Sequence, residues 1–237
     1  MTMLTDQTVL VTGANRGIGA EFVAQLLGRD VAKVYAAARD ADGVDASDPR
    51  VVPLRLDVTD PESVARVAST AKDVSIVVNN AGIALAAPLH SPDPASLRQE
   101  MEVNFFGPVA VAAAFADRVA ERSGAIVNVA SALSWFALGG SYSASKAALW
   151  SATDSLRLEL APRGVQVLGV HMGYVDTDMA SGVEAPKASP GDIVRQVLDG
   201  LESGVDEVLA DDTARSVRSG LHLPVGERYA TFLPQSA

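Results

Sequence analysis

The stretch Thr8-Val9-Leu10-Val11-Thr12-Gly13-Ala14-Asn15-Arg16-Gly17-Ile18-Gly19 decides how this chain folds. Its first residues are an unbroken β-branched and aliphatic run, the pattern of a strand covered on both faces, and the glycines after it open a helical pattern. Glycines in such a turn permit a tight bend, let backbone approach a pyrophosphate, and leave the helix N-terminus aimed at its negative charge. The spacing is G-x-x-x-G-x-G rather than G-x-G-x-x-G, so the turn by itself fits both a dinucleotide cradle and a plain strand-to-helix connection. Gly13, Asn15, Arg16, Gly17, Ile18 and Gly19 are the candidate cradle.

Working outward, short apolar runs alternate with longer helical patterns. Strands are expected at 8–11, 34–37, 51–56, 75–78, 125–129, 165–170 and 207–209, and helices at 17–27, 61–70, 94–122, 141–161 and 190–203. Strictly alternating elements predict a parallel, doubly wound α/β sheet with helices on both faces. Asp60-Pro61-Glu62 marks one helix start with an N-cap acceptor and a proline at the first position, and 162–164 ends the helix before the sixth strand. No repeat or linker interrupts the pattern, so a single domain over 1–237 is expected. The segment 174–190 has no clear periodicity; a flap over a site and an ordinary surface loop both fit its composition.

The composition excludes several classes. With 237 residues and 48% hydrophobic content the chain can bury one substantial core. A net charge of -10 with no basic run argues against a nucleic-acid partner, which needs clustered cations to replace counterions. The absence of cysteine removes disulfides, thiolate nucleophiles and cysteine-based zinc sites, and His90, His171 and His222 lack metal-ligand spacing, so no metal site is expected. Residues 1–7 are polar and run straight into the first strand, and Asp117, Arg118 and Glu121 interrupt the most apolar helix. A cytoplasmic protein without signal peptide or membrane span is therefore the expectation.

Two further sets of residues carry chemistry. Tyr142 and Lys146 lie four apart on an expected helix, one above the other on the same face. A cation beside a phenol favours phenolate and lowers its pKa from the ordinary value of about 10, which suits a group that exchanges a proton with a carbonyl or alcohol oxygen. At the end of the second strand stands Arg39, with Arg16 in the glycine turn; guanidinium groups suit a ribose 2′-phosphate and favour NADP over NAD. The competing reading gives Asp40 to the ribose hydroxyl and leaves Arg39 solvated.

Taken in order, the glycine turn, Asn79-Asn80-Ala81-Gly82, Asn104, Ser131 and the Tyr142/Lys146 pair resemble the short-chain dehydrogenase/reductase family over nearly the whole chain. The resemblance implies a Rossmann-type sheet of seven strands, a nicotinamide cofactor and a homodimer or homotetramer. It implies Tyr142 as acid/base, Lys146 as the group that lowers its pKa and holds the nicotinamide ribose, Ser131 as the residue polarising the substrate carbonyl, and Asn104 as the anchor of a relay water. It places Asp57 and Val58 beside the adenine, Asn79, Asn80, Ala81 and Gly82 along the cofactor cleft, and Gly173, Val175 and Thr177 at the carboxamide.

Two departures from the family pattern stand out. Ser131 precedes Tyr142 by only eleven residues, which leaves Ser134 as a lesser candidate for the serine, and Met172 replaces the proline common before Gly173. Leu85, Trp135, Phe136, Leu138 and Tyr174 are expected to border a pocket for an apolar or aromatic carbonyl compound, although the same side chains suit a core. Trp150 reads as core or subunit interface. The implied activity is NADP-linked interconversion of a carbonyl and an alcohol. A non-catalytic NADP sensor and an isomerase or lyase on the same scaffold are the other classes the residues admit.

Overall fold

The computed structural model describes residues 2–91 and 93–233; the remaining positions of the expected 1–237 domain lie outside the described residues. Seven strands form one parallel sheet: β1 (Thr8–Thr12), β2 (Lys33–Ala38), β3 (Val51–Arg55), β4 (Ile76–Asn79), β5 (Ala125–Val129), β6 (Gln166–His171) and β7 (Glu207–Leu209). Their order is β3-β2-β1-β4-β5-β6-β7. All six neighbouring pairs run parallel, as continuous apolar runs require when both faces are covered.

The helices are α1 (Gly17–Leu27), α2 (Pro61–Thr70), α3 (Pro94–Met101), α4 (Gly107–Glu121), α5 (Gly140–Leu160), α6 (Pro190–Ser203), α7 (Asp212–Ser219) and α8 (Val225–Arg228). Alternate strand residues point to opposite faces and build two cores. Val9, Val11, Ile76, Val78, Val127 and Leu168 pack with Phe22 and Leu26 of α1 and Val194, Leu198 and Leu201 of α6. Leu10, Val77, Ile126 and Val167 pack with Val64 and Val67 of α2 and Val111, Phe115 and Val119 of α4.

Helix starts follow their local chemistry. Asp60 accepts the Glu62 N–H ahead of α2, with Pro61 at the first position, and Ser189 does the same for Asp192 at the head of α6. Gly164 follows the short 3₁₀ turn after α5 at φ +73°, ending that helix where the sequence predicts.

The expected helix 94–122 is two helices. Glu102–Phe106 between them is π-helical, with the Gly107 N–H donating to Glu102 O. Pro108 has no N–H to give at this point, and a widened turn absorbs the missing bond. By length and composition the stretch Pro94–Glu121 is long and apolar enough to cross a membrane, despite its interrupting charges. Part of its apolar surface packs into the core, with Val111, Ala112, Phe115 and Val119 buried, while Phe106 is half exposed.

The sheet's order reverses between β1 and β4, and crevices that bind ligands open outside the carboxyl ends of strands at such a switch point. The glycine turn after β1, the 80–87 segment after β4, Ser131 after β5 and the 172–177 segment after β6 all emerge on that side.

Candidate active site

A single cavity of about 1430 Å³ runs along this edge from the glycine turn to Tyr142. At one end lie Gly13, Asn15, Arg16, Gly17, Ile18, Gly19, Arg39, Asp40, Asp57 and Val58. Gly13 has φ +66°, and a Cβ on Gly19 would stand 2.0 Å from Gly13 O, so the turn closes only without side chains. Arg16 occupies the N-cap of α1 with no side-chain acceptor, and the first turn carries no acidic residue. The helix therefore presents free N–H groups and an uncompensated positive end to the cavity, which is where an anion is held best.

Asn80 fixes the cradle from the next strand. Its side-chain amide donates to Thr12 O at 2.9 Å and to Gly13 O at 3.2 Å. The Thr12 hydroxyl in turn accepts the N–H groups of Asn80 and Ala81, both at 3.0 Å. Asp57 is held below the usual carboxylate range, first by the Thr59 N–H and then by its hydroxyl, with Arg39 a smaller influence. Arg39 is exposed at the cavity wall, whereas Arg16 reaches Asp178 at 3.3 Å, both side chains largely solvated.

At the other end stand Ser131, Tyr142 and Lys146. Ser131 begins the turn after β5; its Oγ accepts the Leu133 N–H at 3.1 Å and lies 3.5 Å from Met172 O. Ser134, the lesser candidate, is buried with its hydroxyl unpartnered and does not line this cavity. Lys146 is buried and donates to Val129 O at 2.9 Å. Its ammonium is 5.7 Å from the Tyr142 ring centroid. Burial lowers the Lys146 pKa to about 8.

The Tyr142 phenol moves against the simple two-residue expectation. Burial, the largest influence, pushes its pKa up to about 12, with Glu100 and Tyr174 adding in the same direction and the Ser131 hydroxyl opposing them. Lys146 gives its hydrogen bond to a backbone carbonyl, and desolvation sets the direction of the phenol's shift.

Several side chains lie elsewhere than the sequence suggests. Asn79 does not line the cleft: it is buried behind it, donating to Pro108 O and to Asn128 Oδ1. Asn104 is fully buried and also outside the cavity lining. Its amide accepts the Ile83 N–H and donates to Ile83 O, each at 2.9 Å, and to Ser145 Oγ at 3.0 Å, so the side chain ties elements together instead of facing the cleft.

Phe136, Leu138 and Tyr174 border the cavity as expected, but Leu85 and Trp135 do not. Trp135 is buried, stacked on His171 at 3.9 Å and edge-on to Trp150 at 5.9 Å. Leu85 is exposed, beside Ala86 in the left-handed region at φ +52°.

Gly173, Val175 and Thr177 line the wall beyond β6. Met172 costs this loop little order, since Gly173 N–H donates to Asp211 Oδ2 at 2.7 Å and Met172 O accepts Ala132 N–H at 2.8 Å. Asp211 and Thr213, whose side chain would meet a Cβ at Gly173 at 2.8 Å, carry little signal in the sequence. The only signal was a pair of adjacent aspartates ahead of a short polar segment, which α7 turns into an N-cap: Asp211 Oδ1 accepts Ala214 N–H.

Residues 7–188 match the family model described as short chain dehydrogenase. The chain is a short-chain dehydrogenase/reductase. The crystal structure of a short chain dehydrogenase from Burkholderia cenocepacia in complex with NADP superposes on it with a TM-score of 0.93 at 40% identity, covering 99% of this chain and 100% of that one. An NADPH-dependent 1-acyldihydroxyacetone phosphate reductase of Schizosaccharomyces pombe is 35% identical over 187 residues, 76% of this short-chain dehydrogenase/reductase and 63% of the yeast protein. A 1-deoxy-11-beta-hydroxypentalenate dehydrogenase of Streptomyces exfoliatus is 36% identical, covering 80% and 74% of the two chains. The chain thus spans less than two thirds of the yeast relative's length, and the two relatives act on unlike molecules. Membership fixes the oxidoreductase scaffold; the substrate has to be argued from the cavity.

Proposed function

We propose that this short-chain dehydrogenase/reductase is an NADP-linked oxidoreductase that interconverts a ketone or aldehyde and an alcohol, with Tyr142 as the acid/base. The observation that carries this reading is one cavity joining a side-chain-free glycine cradle to Ser131, Tyr142 and Lys146. The cradle fits a dinucleotide: its helix end suits a pyrophosphate, and Arg16 and Arg39 suit a 2′-phosphate. The NADP complex of the 40% identical Burkholderia protein supports NADP over NAD. The nicotinamide supplies or accepts the hydride.

The chain's own residues manage the oxygen and its proton. Ser131 Oγ and the Tyr142 hydroxyl both face the cavity and would donate to the substrate oxygen as negative charge grows there. Tyr142, protonated at neutral pH, gives its proton in reduction and takes one back in oxidation. Lys146, held on Val129 O, keeps a positive charge beside the phenol and faces the ribose region of the cleft. Asn104 contributes by fixing Ile83 and Ser145.

The substrate end is lined by Leu133, Phe136, Leu138, Tyr174, Met179 and Val183. Among the described residues the cations lining the cavity are Arg16, Arg39 and Lys146, all assigned above to the cofactor or the phenol. A phosphate- or carboxylate-bearing substrate would find no fixed counter-charge, so a small apolar or aromatic carbonyl compound is favoured. The segment 174–190 acts as a flap in this reading. Its ends are pinned by the Val175–Ala188 bridge and the Ala188 N–H to Tyr174 O bond, with Met179 exposed between them. Assembly as a homo-oligomer is part of the proposal, and Leu158 of α5, 78% exposed, offers an apolar contact.

The test is a panel of aliphatic and aromatic ketones, aldehydes and quinones incubated with protein and NADPH, followed by nicotinamide absorbance. Oxidation of NADPH dependent on one class of carbonyl supports the proposal. Tight NADPH binding with no turnover across the panel replaces it with a sensor, and substrate conversion without net cofactor change replaces it with an isomerase or lyase.

A further inference from the structure

Glu100 of α3 is fully buried, and among the described residues its partners are hydrogen-bond donors rather than cations. Its Oε1 accepts the Leu85 N–H at 2.6 Å and the Ala86 N–H at 3.0 Å. Its Oε2 accepts the Ser141 hydroxyl, while Ser141 Oγ takes the Ala87 N–H at 2.9 Å and Ser141 N–H returns to Ala87 O at 3.0 Å. Three successive backbone donors of one loop are thus answered by one carboxylate and the hydroxyl it holds.

The loop so gripped is an unfavourable one. Ala86 stands at φ +52°, a region that L-residues with side chains enter at a cost, and Gly140 at φ +51° has no room for a Cβ, which would lie 2.3 Å from Ala87 O. Ile83, Ala84 and Ala86 of this loop line the cavity. Asn104, four residues beyond Glu100, takes the upstream end through Ile83 and reaches Ser145, four residues beyond Ser141. Two polar side chains four residues apart therefore meet two serines four residues apart, Glu100 accepting from Ser141 and Asn104 donating to Ser145, and Tyr142 lies between those serines in the chain.

We infer that Glu100 is a positioning residue: it clamps the 83–87 edge of the cavity to the first turn of α5 and thereby fixes where Tyr142 stands. The inference rests on the reading of Tyr142 as acid/base only for its consequence in turnover; the clamp itself is a matter of hydrogen bonds. Burial is the largest influence raising the Tyr142 pKa, the Ser131 hydroxyl opposes it, and the Glu100 carboxylate, with Tyr174, adds a smaller electrostatic push in the raising direction. A purely space-filling residue would have neither effect.

The experiment uses full-length protein and needs no substrate: backbone amide exchange by NMR, the ¹³Cζ resonance and alkaline titration of Tyr142 assigned with Tyr142→Phe, and NADPH affinity by nucleotide fluorescence. Glu100→Ala should speed exchange at Leu85 and Ala86 about tenfold or more, with β1 and α1 unchanged and NADPH affinity within about twofold. Ser141→Ala should do the same at Ala87, and it carries the test if Glu100→Ala does not fold. Glu100→Gln retains an acceptor for the two amides, so it should restore their protection while the Tyr142 titration moves to lower pH, the charge being gone.

Exchange at 85–87 equal to wild type in both alanine variants would overturn the clamp. So would loss of protection spread evenly over the sheet, or a Tyr142 resonance and titration unmoved in every variant. Tyr142→Phe with undiminished carbonyl reduction would instead sink the acid/base reading while leaving the exchange results standing.

Discussion

The Lys146 ammonium lies 5.7 Å from the Tyr142 ring centroid and gives its hydrogen bond to Val129 O at the end of β5. The i, i+4 spacing does bring the two groups together, but the sheet claims the ammonium first. With the phenol pushed up to about 12 and the lysine down to about 8, both by burial, the pair at neutral pH is a protonated phenol beside a cation. That state suits proton donation in the reductive direction.

The Lys146 shift fixes a sign for stability. Its folded pKa, about 8, lies below the ordinary 10.5, so between those values the unfolded chain binds more protons and stability rises with pH. Comparing Lys146→Met with wild type by thermal unfolding should show wild type gaining on the variant from about pH 8 to about pH 10.5. A difference that stays constant over that window contradicts the assignment.

His171 carries the same sign on the acid side of the neutral range. It is fully buried, its Nδ1 3.0 Å from Ser131 O, and its pKa is lowered to about 4, chiefly by burial. The ring is therefore neutral at pH 7, with the proton on Nδ1, and the 3.7 Å approach of Glu207 is no ion pair. The unfolded state binds more protons between about 6.5 and 4, so stability is lost as pH falls through that window. His171→Asn, which keeps a donor, should lose less of its unfolding temperature between pH 6.5 and 4 than wild type does.

The glycine turn admits a steric test. With a Cβ on Gly19 only 2.0 Å from Gly13 O and 2.7 Å from both the Gly13 carbonyl carbon and Asn80 Nδ2, Gly19→Ala must displace backbone. We expect a loss of roughly 1–3 kcal/mol or more in stability and a loss of NADPH binding, read by denaturant melts and nucleotide fluorescence. Gly182→Ala, where nothing lies within 4 Å, is the control that should leave both unchanged.

How far the sequence carries the structure depends on whether a residue's meaning is local. Strands of unbroken aliphatic residues, the glycine turn and the start of α2 need only their neighbours, and all fall where the pattern places them. The π-turn at Glu102–Phe106 and the short helices α7 and α8 were missed because a missing proline N–H and short polar segments leave little periodicity. Nothing local in the sequence marks Glu100 or Asp211; only the fold brings two loop amides to one and the Gly173 amide to the other. Asn79, Leu85 and Trp135 were misplaced because the direction of a side chain in an irregular segment is set by tertiary contacts.

Cofactor choice is a separate matter from fold. Arg39 is exposed, lines the cavity and among the described residues has no ion-pair partner, whereas Arg16 contacts Asp178. Arg39→Ala should weaken NADPH binding about tenfold or more while changing NADH affinity little. An unchanged preference would return the ribose to Asp40.

The proposal that Tyr142 carries the proton is tested most directly by following NADPH absorbance with the best carbonyl compound of the panel in wild type and Tyr142→Phe. The expected result is a drop in turnover of about 10²- to 10⁴-fold, with the unfolding temperature and NADPH affinity retained. Turnover within a few-fold of wild type in the phenylalanine variant would contradict the account.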